Sequence, residues 1–361
     1  MEHMTMPEGH GRDRGAIRAQ LPNTYNPFFF EDTATMRSIV SLHIGRAGCR
    51  IGDECWELYC QEHGISLDGR GPEHESDACF TKFFHKTEGV DTFPVPSFAT
   101  WSPPRSKQLK KQAEKCDGVD GVLIYHSLGG GTGAGFGARL LEHIKDEHGK
   151  STKIEFSVYP GDKLKSSAVQ VYNSALATHA TSEYSDFISD GPFSPTQEPP
   201  QTPPSAAYIA SACREFGSLM QLDLFDGKVM GISYLYRGKL EPAEVKEAIF
   251  KNKMGIEFTS WDSTAFRVGI EDHAPRYIPG SGMTPTDKAL FTFTCITATA
   301  NFFHSLGSQF DDFFAKRESV QSFVSSGVKE SEFSAAREVL AKLQEEHSQV
   351  RGGEDDEGGE F

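Results

Sequence analysis

His126-Ser127-Leu128-Gly129-Gly130-Gly131-Thr132-Gly133-Ala134-Gly135-Phe136 is the stretch whose reading decides the fold. An apolar run, Gly121-Val122-Leu123-Ile124-Tyr125, precedes it, and an amphipathic run, Ala138-Arg139-Leu140-Leu141-Glu142-His143-Ile144, follows. That order predicts strand, glycine loop, helix. Gly129 to Gly135 holds five glycines and a threonine in seven residues. Such a loop turns tightly and gathers backbone N–H groups. The helix behind it points its positive end at the same place, which makes an anion site suited to a polyphosphate. The string is neither GxGxxG nor GxxxxGKS/T, so neither common phosphate fingerprint applies.

A chain of 361 residues can bury a large core and predicts more than one domain. Its formal net charge of -15, from 36 basic and 51 acidic residues, argues against nonspecific nucleic-acid or membrane-surface binding and favours basic partners. No run of 18 apolar residues occurs, so no membrane span is expected. The seven cysteines form no CxxC pair and read as reduced thiols of the cytoplasm. The 13 histidines are scattered without zinc-site spacing, and no metal ligand is assigned.

Residues 1–35 lack a clear period and read as a disordered extension, with Phe28-Phe29-Phe30 as an apolar cluster. Ser38 to Ile44 reads as a strand. It ends at a second glycine turn, Gly45 to Gly52, and a helix through Glu54 to Cys60 follows, with Cys55, Leu58 and Tyr59 as its buried stripe and Gly64 as its cap. Strand, glycine turn and helix again suit a nucleotide at the carboxyl end of a parallel sheet. Residues 66–90 read as polar loop anchored by Phe80, Phe83 and Phe84, and Lys107 to Lys115 as a basic helical run. A strand over Lys153 to Pro160, a polar loop over Gly161 to Asn173 and a helix over Ser174 to Asp186 come next. Gly191 to Ser205 holds six prolines and must be extended. Lys228 to Gly238 alternates as a strand does, Glu241 to Ile249 suits a short helix, and from Thr299 the pattern is helical. Ser331 is the expected N-cap of a last helix whose stripe is Ala336, Val339, Leu340 and Leu343. The tail Glu354 to Phe361 carries five acids in eight residues.

These strings resemble one family closely. GGGTGAG is similar to the GGGTGSG signature of the tubulin and FtsZ superfamily, and Cys55 to Ile65, CWELYCQEHGI, resembles the α-tubulin form of the first helix. KIEFSVYP at Lys153, KVMGISYLYRG at Lys228 and EFSAARE at Glu332 resemble further α-tubulin segments, and the acidic tail looks like a short α-tubulin tail ending in Phe361. The resemblance covers residues 36–90, 116–186 and 206–361. The chain is thereby identified as a divergent, internally shortened member of the α-tubulin family.

The resemblance implies an α/β fold: a tubulin/FtsZ-like parallel-sheet GTP-binding domain at 36–190, a Pro-rich bridge at 191–205, a reduced intermediate α/β domain at 206–300, C-terminal helices at 301–350 and an acidic tail at 351–361. It implies GTP held by Gly45, Arg46, Ala47, Ser127, Gly129, Gly130, Gly131, Thr132 and Gly133, with Ser166 and Gln170 at the ribose. Arg46 replaces a family glutamine and offers a charge-assisted phosphate contact instead of an amide. Magnesium is expected for the family, but its acidic ligand loop has no counterpart here. The guanine-recognition segments, the long central helix and the acid that acts on the neighbouring subunit's nucleotide are missing too, so no catalytic residue is assigned. The implied role is a GTP-binding constituent of microtubules in the cytoskeleton, pairing with a β-tubulin-type subunit and meeting basic microtubule-associated proteins through the tail. The alternative is a non-polymerising tubulin-like binding or regulatory protein, or a degenerate product with impaired GTP binding.

Overall fold

A computed structural model describes residues 37–66, 83–86, 92–94, 97–99, 118–160, 167–182, 184, 187–189, 226–253, 256–259, 266–278 and 285–352. The N-terminal extension, Phe80, the basic run at 107–115, Ser166, the Pro-rich bridge and the acidic tail beyond residue 352 lie outside these.

Strand β1 (Arg37–Ile44) leads into helix α1 (Gly45–Glu62). A two-stranded antiparallel pair, β2 (Phe84–Lys86) and β3 (Thr92–Pro94), precedes β4 (Ser97–Ala99). The strand predicted before the glycine loop is β5 (Gly118–Ser127). A wide π-type turn, Thr132–Phe136, opens α2 (Gly137–Glu147), and β6 (Thr152–Val158), α3 (Ala168–Thr181) and β7 (Phe187–Ser189) follow. The five strands form one sheet in the order β4-β1-β5-β6-β7, every pairing parallel. From β1 the chain reaches β4 on one side and β5 on the other. The carboxyl ends of β1 and β5 therefore flank a topological switch point, where α/β sheets open a crevice for ligands.

Both faces of this sheet are covered, as parallel sheets require. On one face Val40, Leu42 and Ile44 of β1 and Val122 and Ile124 of β5 pack under Leu140, Leu141 and Ile144 of α2. On the other, His43, Tyr125 and Phe156 stack across three adjacent strands, at centroid distances of 4.9 and 4.6 Å.

The second half contains β8 (Lys228–Arg237), α4 (Pro242–Lys253), β9 (Glu257–Phe258), β10 (Phe266–Glu271) and β11 (Ala289–Ile296). β8 is central, parallel to β9 and β10 and antiparallel to β11. Helices α5 (Thr299–Ala315), α6 (Val320–Ser325) and α7 (Glu330–Gly352) end the fold. They meet α3 in an aromatic core. Tyr172 makes edge contacts with Phe310, Phe323 and Phe333 at 5.1 to 5.7 Å, geometry that aromatic quadrupoles favour.

Four expectations are corrected. Gly48 and Gly52 lie within α1, not in a turn, because the helix packs too closely for side chains. A Cβ on Gly48 would stand 2.2 Å from the Tyr125 carbonyl oxygen, and one on Gly52 2.5 Å from the His43 ring. The buried stripe of α1 is consequently Gly48, Gly52 and Trp56, with Cys55, Leu58 and Tyr59 half-buried beside it. Helix α3 starts at Ala168, six residues before the expected start at Ser174, and closes at Thr181. Ser331 is exposed inside α7, which begins at Glu330, and Phe333 joins Ala336 and Leu340 in the buried stripe while Val339 and Leu343 are half-buried. The cap at Gly64 matches the expectation. Its φ is +66°, and Ile65 N–H donates to the Cys60 carbonyl at 2.8 Å, which closes the C-terminus of α1.

Candidate functional site

The crevice between β1 and β5 is built from three segments. Gly45 ends β1 with φ +72°, a left-handed conformation that admits glycine at little strain. A Cβ placed there would stand 3.5 Å from the Gly133 nitrogen and 3.7 Å from the Thr132 Cβ. The turn from β1 and the turn from β5 are therefore immediate neighbours. The third segment is the start of α3. Asn173 Nδ2 donates to the Gly129 carbonyl at 3.0 Å, and the Gln170 side chain lies over Gly129.

Within the glycine loop the positions divide by use. Gly133 is a packing glycine: a Cβ there would meet the Ser127 carbonyl oxygen at 2.1 Å. Gly130, Gly131 and Gly135 face open space, with nothing within 4 Å of an added Cβ. Ala134 N–H donates to the Gly130 carbonyl at 2.9 Å, so the helical pattern begins in the loop itself. The N–H groups ahead of it have no intrahelical acceptor. The first turn of α1 and the π-type turn carry no capping side chain and no acid. Helix α3, by contrast, is closed by its own capping box, Ser167 Oγ accepting from Gln170 N–H and Gln170 Oε1 accepting from Ser167 N–H at 3.0 Å.

Arg46 sits exposed in the first turn of α1. A cation at the positive end of a helix is unfavourable by about 0.3–1 kcal/mol unless an anion lies there. The open cradle, the uncapped helix starts and Arg46 together suit a polyphosphate. Among the described residues no group of three or more His, Cys, Asp or Glu is placed to hold a metal ion.

The structure brings together Gly45, Arg46, Ala47, Ser127, Gly129, Gly130, Gly131, Thr132 and Gly133 at the carboxyl ends of β1 and β5. Gln170 lies beside Gly129, but its Oε1 is engaged in the capping box, so the loop reading of this segment missed what it does. The spacing Ser167-x-x-Gln170 carried that signal. Asn173, the residue that pins Gly129, was also missed, as was a buried cluster of His126, Glu155 and Ser157 directly beneath the loop. Only the positions of those three on facing strands distinguish them from ordinary polar residues.

Residues 104–189 match the family model of the GTPase domain of the Tubulin/FtsZ family, and residues 198–308 match that of the Tubulin C-terminal domain. The chain is 30% identical over 443 residues to the Tubulin alpha-2 chain of Caenorhabditis elegans, a match that covers 90% of this chain and 99% of that one. It is 30% identical over 447 residues to the Tubulin alpha chain of Zymoseptoria tritici, with the same coverage. Both alignments exceed the 361 residues available here, so they bridge gaps inside the chain. The segment 37–62 precedes the GTPase-domain match, yet β1 pairs with β5 over seven residues and belongs to the same sheet. The chain belongs to the tubulin family, as a divergent, internally shortened α-tubulin-like member.

Proposed function

We propose that this chain binds a guanine nucleotide through its phosphates at the crevice between β1 and β5 and pairs with a β-tubulin-type subunit as a cytoskeletal, microtubule-associated protein. The observation that carries this reading is the contact of Gly45 with Thr132 and Gly133 over an open glycine cradle. Backbone N–H groups of Gly129 to Gly133 and of Gly45 to Ala47 would face the phosphates, with the hydroxyls of Ser127 and Thr132 beside them. Ser166 and Gln170 would lie toward the ribose. Gln170 would remain bound to Ser167 while doing so, which fixes its side chain rather than freeing it.

Magnesium, when it accompanies a triphosphate, neutralises the terminal phosphates. This chain offers Arg46 in that region, a permanent positive charge with a planar donor fork. A diphosphate needs less neutralisation than a triphosphate. The reading therefore favours GDP, or GTP held without a tightly bound metal. No residue is assigned to hydrolysis, since the acidic segment that acts across the subunit contact has no counterpart in the sequence.

Nucleotide released from the purified, denatured protein tests this. Near-stoichiometric GDP or GTP, together with co-sedimentation on microtubules, supports it. A protein that emerges empty and stays in the supernatant overturns it. A protein that binds nucleotide but does not sediment supports the non-polymerising alternative, which the Pro-rich segment in place of a long central helix favours.

A further inference from the structure

Helix α1 lies on the sheet through its glycines. A Cβ on Gly48 would stand 2.2 Å from the Tyr125 carbonyl oxygen, and one on Gly52 2.5 Å from the His43 ring, so this ridge of the helix is the inner one. Arg46 and Arg50 each stand two residues from these glycines, which at about 3.6 residues per turn puts both on the outer side. Both are exposed. Arg50 follows Arg46 by one turn, a rise of about 6 Å, and long helical side chains lean back toward the amino end. An arginine is long enough to span that rise. Its guanidinium can therefore work at the level of the first turn, where Gly45 meets Thr132 and Gly133.

The charges on this outer side run against the helix. Two arginines occupy the first two turns, and the exposed acids Asp53, Glu54 and Glu57 come after them. A helix favours the opposite order, acids at its amino end and cations at its carboxyl end. The first turn holds no acid, and no side chain caps it. Asp53 and Glu54 stand three and four residues beyond Arg50, at pairing distance but in the weaker of the two orders. Among the described residues neither guanidinium has a hydrogen-bond or ion-pair partner. Like charges one turn apart repel each other, and both are repelled by the positive helix end. Both costs turn into gains when an anion lies between the two guanidinium groups and the glycine loop.

We propose that Arg50 is a second phosphate-binding residue of the crevice and that, with Arg46, it selects a nucleoside triphosphate over the diphosphate. This rests on the reading of the crevice as a phosphate site, which by itself leaves both nucleotides open. The N–H groups of the loop and one guanidinium are enough for a diphosphate. A second guanidinium of permanent charge, one turn behind the first, is matched only by a further phosphate group. Its planar fork takes two phosphoryl oxygens at once, so the selection depends on geometry as well as on charge.

The test is calorimetric titration of the whole, nucleotide-stripped chain with GTP and with GDP. Magnesium is chelated, so that the arginines are read without a competing cation. Wild type should bind GTP at least tenfold more tightly than GDP. R50Q should bring that ratio below threefold, whereas R46Q should weaken both nucleotides and keep the ratio above threefold. A wild-type ratio below threefold overturns the proposal, and so does an R50Q ratio equal to that of wild type. Should R50Q melt below wild type, R50K takes its place. It keeps the charge without the fork and must lower the ratio at least threefold, and an unchanged ratio overturns the proposal. If wild type binds neither nucleotide but takes inorganic triphosphate at least tenfold more tightly than R50Q does, the arginine pair stands and the nucleotide reading fails. Uptake of none of the three overturns both.

Discussion

Glu62 at the end of α1 and Arg237 at the end of β8 form a two-pronged ion pair, both guanidinium amino groups donating to the two carboxyl oxygens at 2.8 Å. The backbone N–H of Arg276 adds a third bond to Glu62, at 2.9 Å. The pair ties the helix of the crevice to the central strand of the second sheet, across 175 residues of sequence. Both side chains are 19% exposed, so the interaction is only partly screened.

Burial pushes the Glu62 carboxyl up, but Arg237 and the Arg276 amide outweigh it and hold the group below the usual carboxylate range. The pair's contribution is therefore complete above the unfolded value of about 4.3 and is lost as pH falls through the lower folded value. Glu62→Gln should destabilise the protein by about 1–2 kcal/mol at pH 7. Urea midpoints of the two proteins should converge as pH drops from 5 toward 3. A gap that persists undiminished at the acid end contradicts the assignment.

Gly133→Ala and Gly130→Ala separate packing from binding. The first drives a methyl into the Ser127 carbonyl oxygen at 2.1 Å, backbone against backbone. It should cost more than about 2 kcal/mol and disorder the turn. The second meets nothing within 4 Å and should leave stability within about 0.5 kcal/mol. Its methyl projects into the cradle, so GDP affinity should nonetheless drop. Thermal melting beside calorimetric GDP titration checks both, and equal behaviour of the two variants contradicts the division of the loop.

Arg46→Gln restores the neutral side chain that the family carries at this position. Loss of one charge-assisted contact, about 1–2 kcal/mol, should weaken GDP binding roughly five- to thirtyfold. Wild-type binding should be nearly indifferent to chelation of magnesium. Titrations with and without a chelator check this, and a wild-type affinity that collapses on chelation shows that Arg46 does not supply the neutralising charge.

His43 is buried, and burial pushes its imidazole from 6.5 down to about 4 against the opposing pull of the Gly48 backbone and Asp53. Trp56 Nε1 donates to its Nε2 at 3.2 Å, which only the neutral ring accepts. The unfolded chain takes a proton here at a higher pH than the folded one. Stability should thus fall as pH drops from 6.5 toward 4, by up to about 3 kcal/mol from this residue. His43→Gln keeps an acceptor for Trp56 and removes the titration, so the acid slope of its unfolding midpoint should be shallower than that of the wild type between pH 6.5 and 5. Parallel slopes contradict the account.

Much of this fold was legible because its signals are local. The alternation of β8, the run into α5 and the strand before the glycine loop need only periodicity and punctuation, and Gly64 announces a cap by its place after the last polar turn. Other features depend on what packs above. Gly48 and Gly52 read as a loop until Tyr125 and His43 are seen to leave no room for side chains. Lys153, Glu155 and Ser157 fall in the expected strand, but nothing in their spacing marks them as buried until β5 supplies His126. Ser167 and Gln170 are a different case: their spacing is a cap signature, and it yields to the loop reading only because the preceding segment is polar.

Tyr172 and Asn173 are consecutive residues of one helix, and they face opposite tasks. Asn173 is fastened to the glycine loop, while Tyr172 is set among Phe310, Phe323 and Phe333 of the C-terminal helices. An α-helix is stiff over such a distance, so one rigid element fixes both the place of the loop and the packing of the aromatic layer. The crevice and the outer helices are thus built on one shared element, joined at two neighbouring residues.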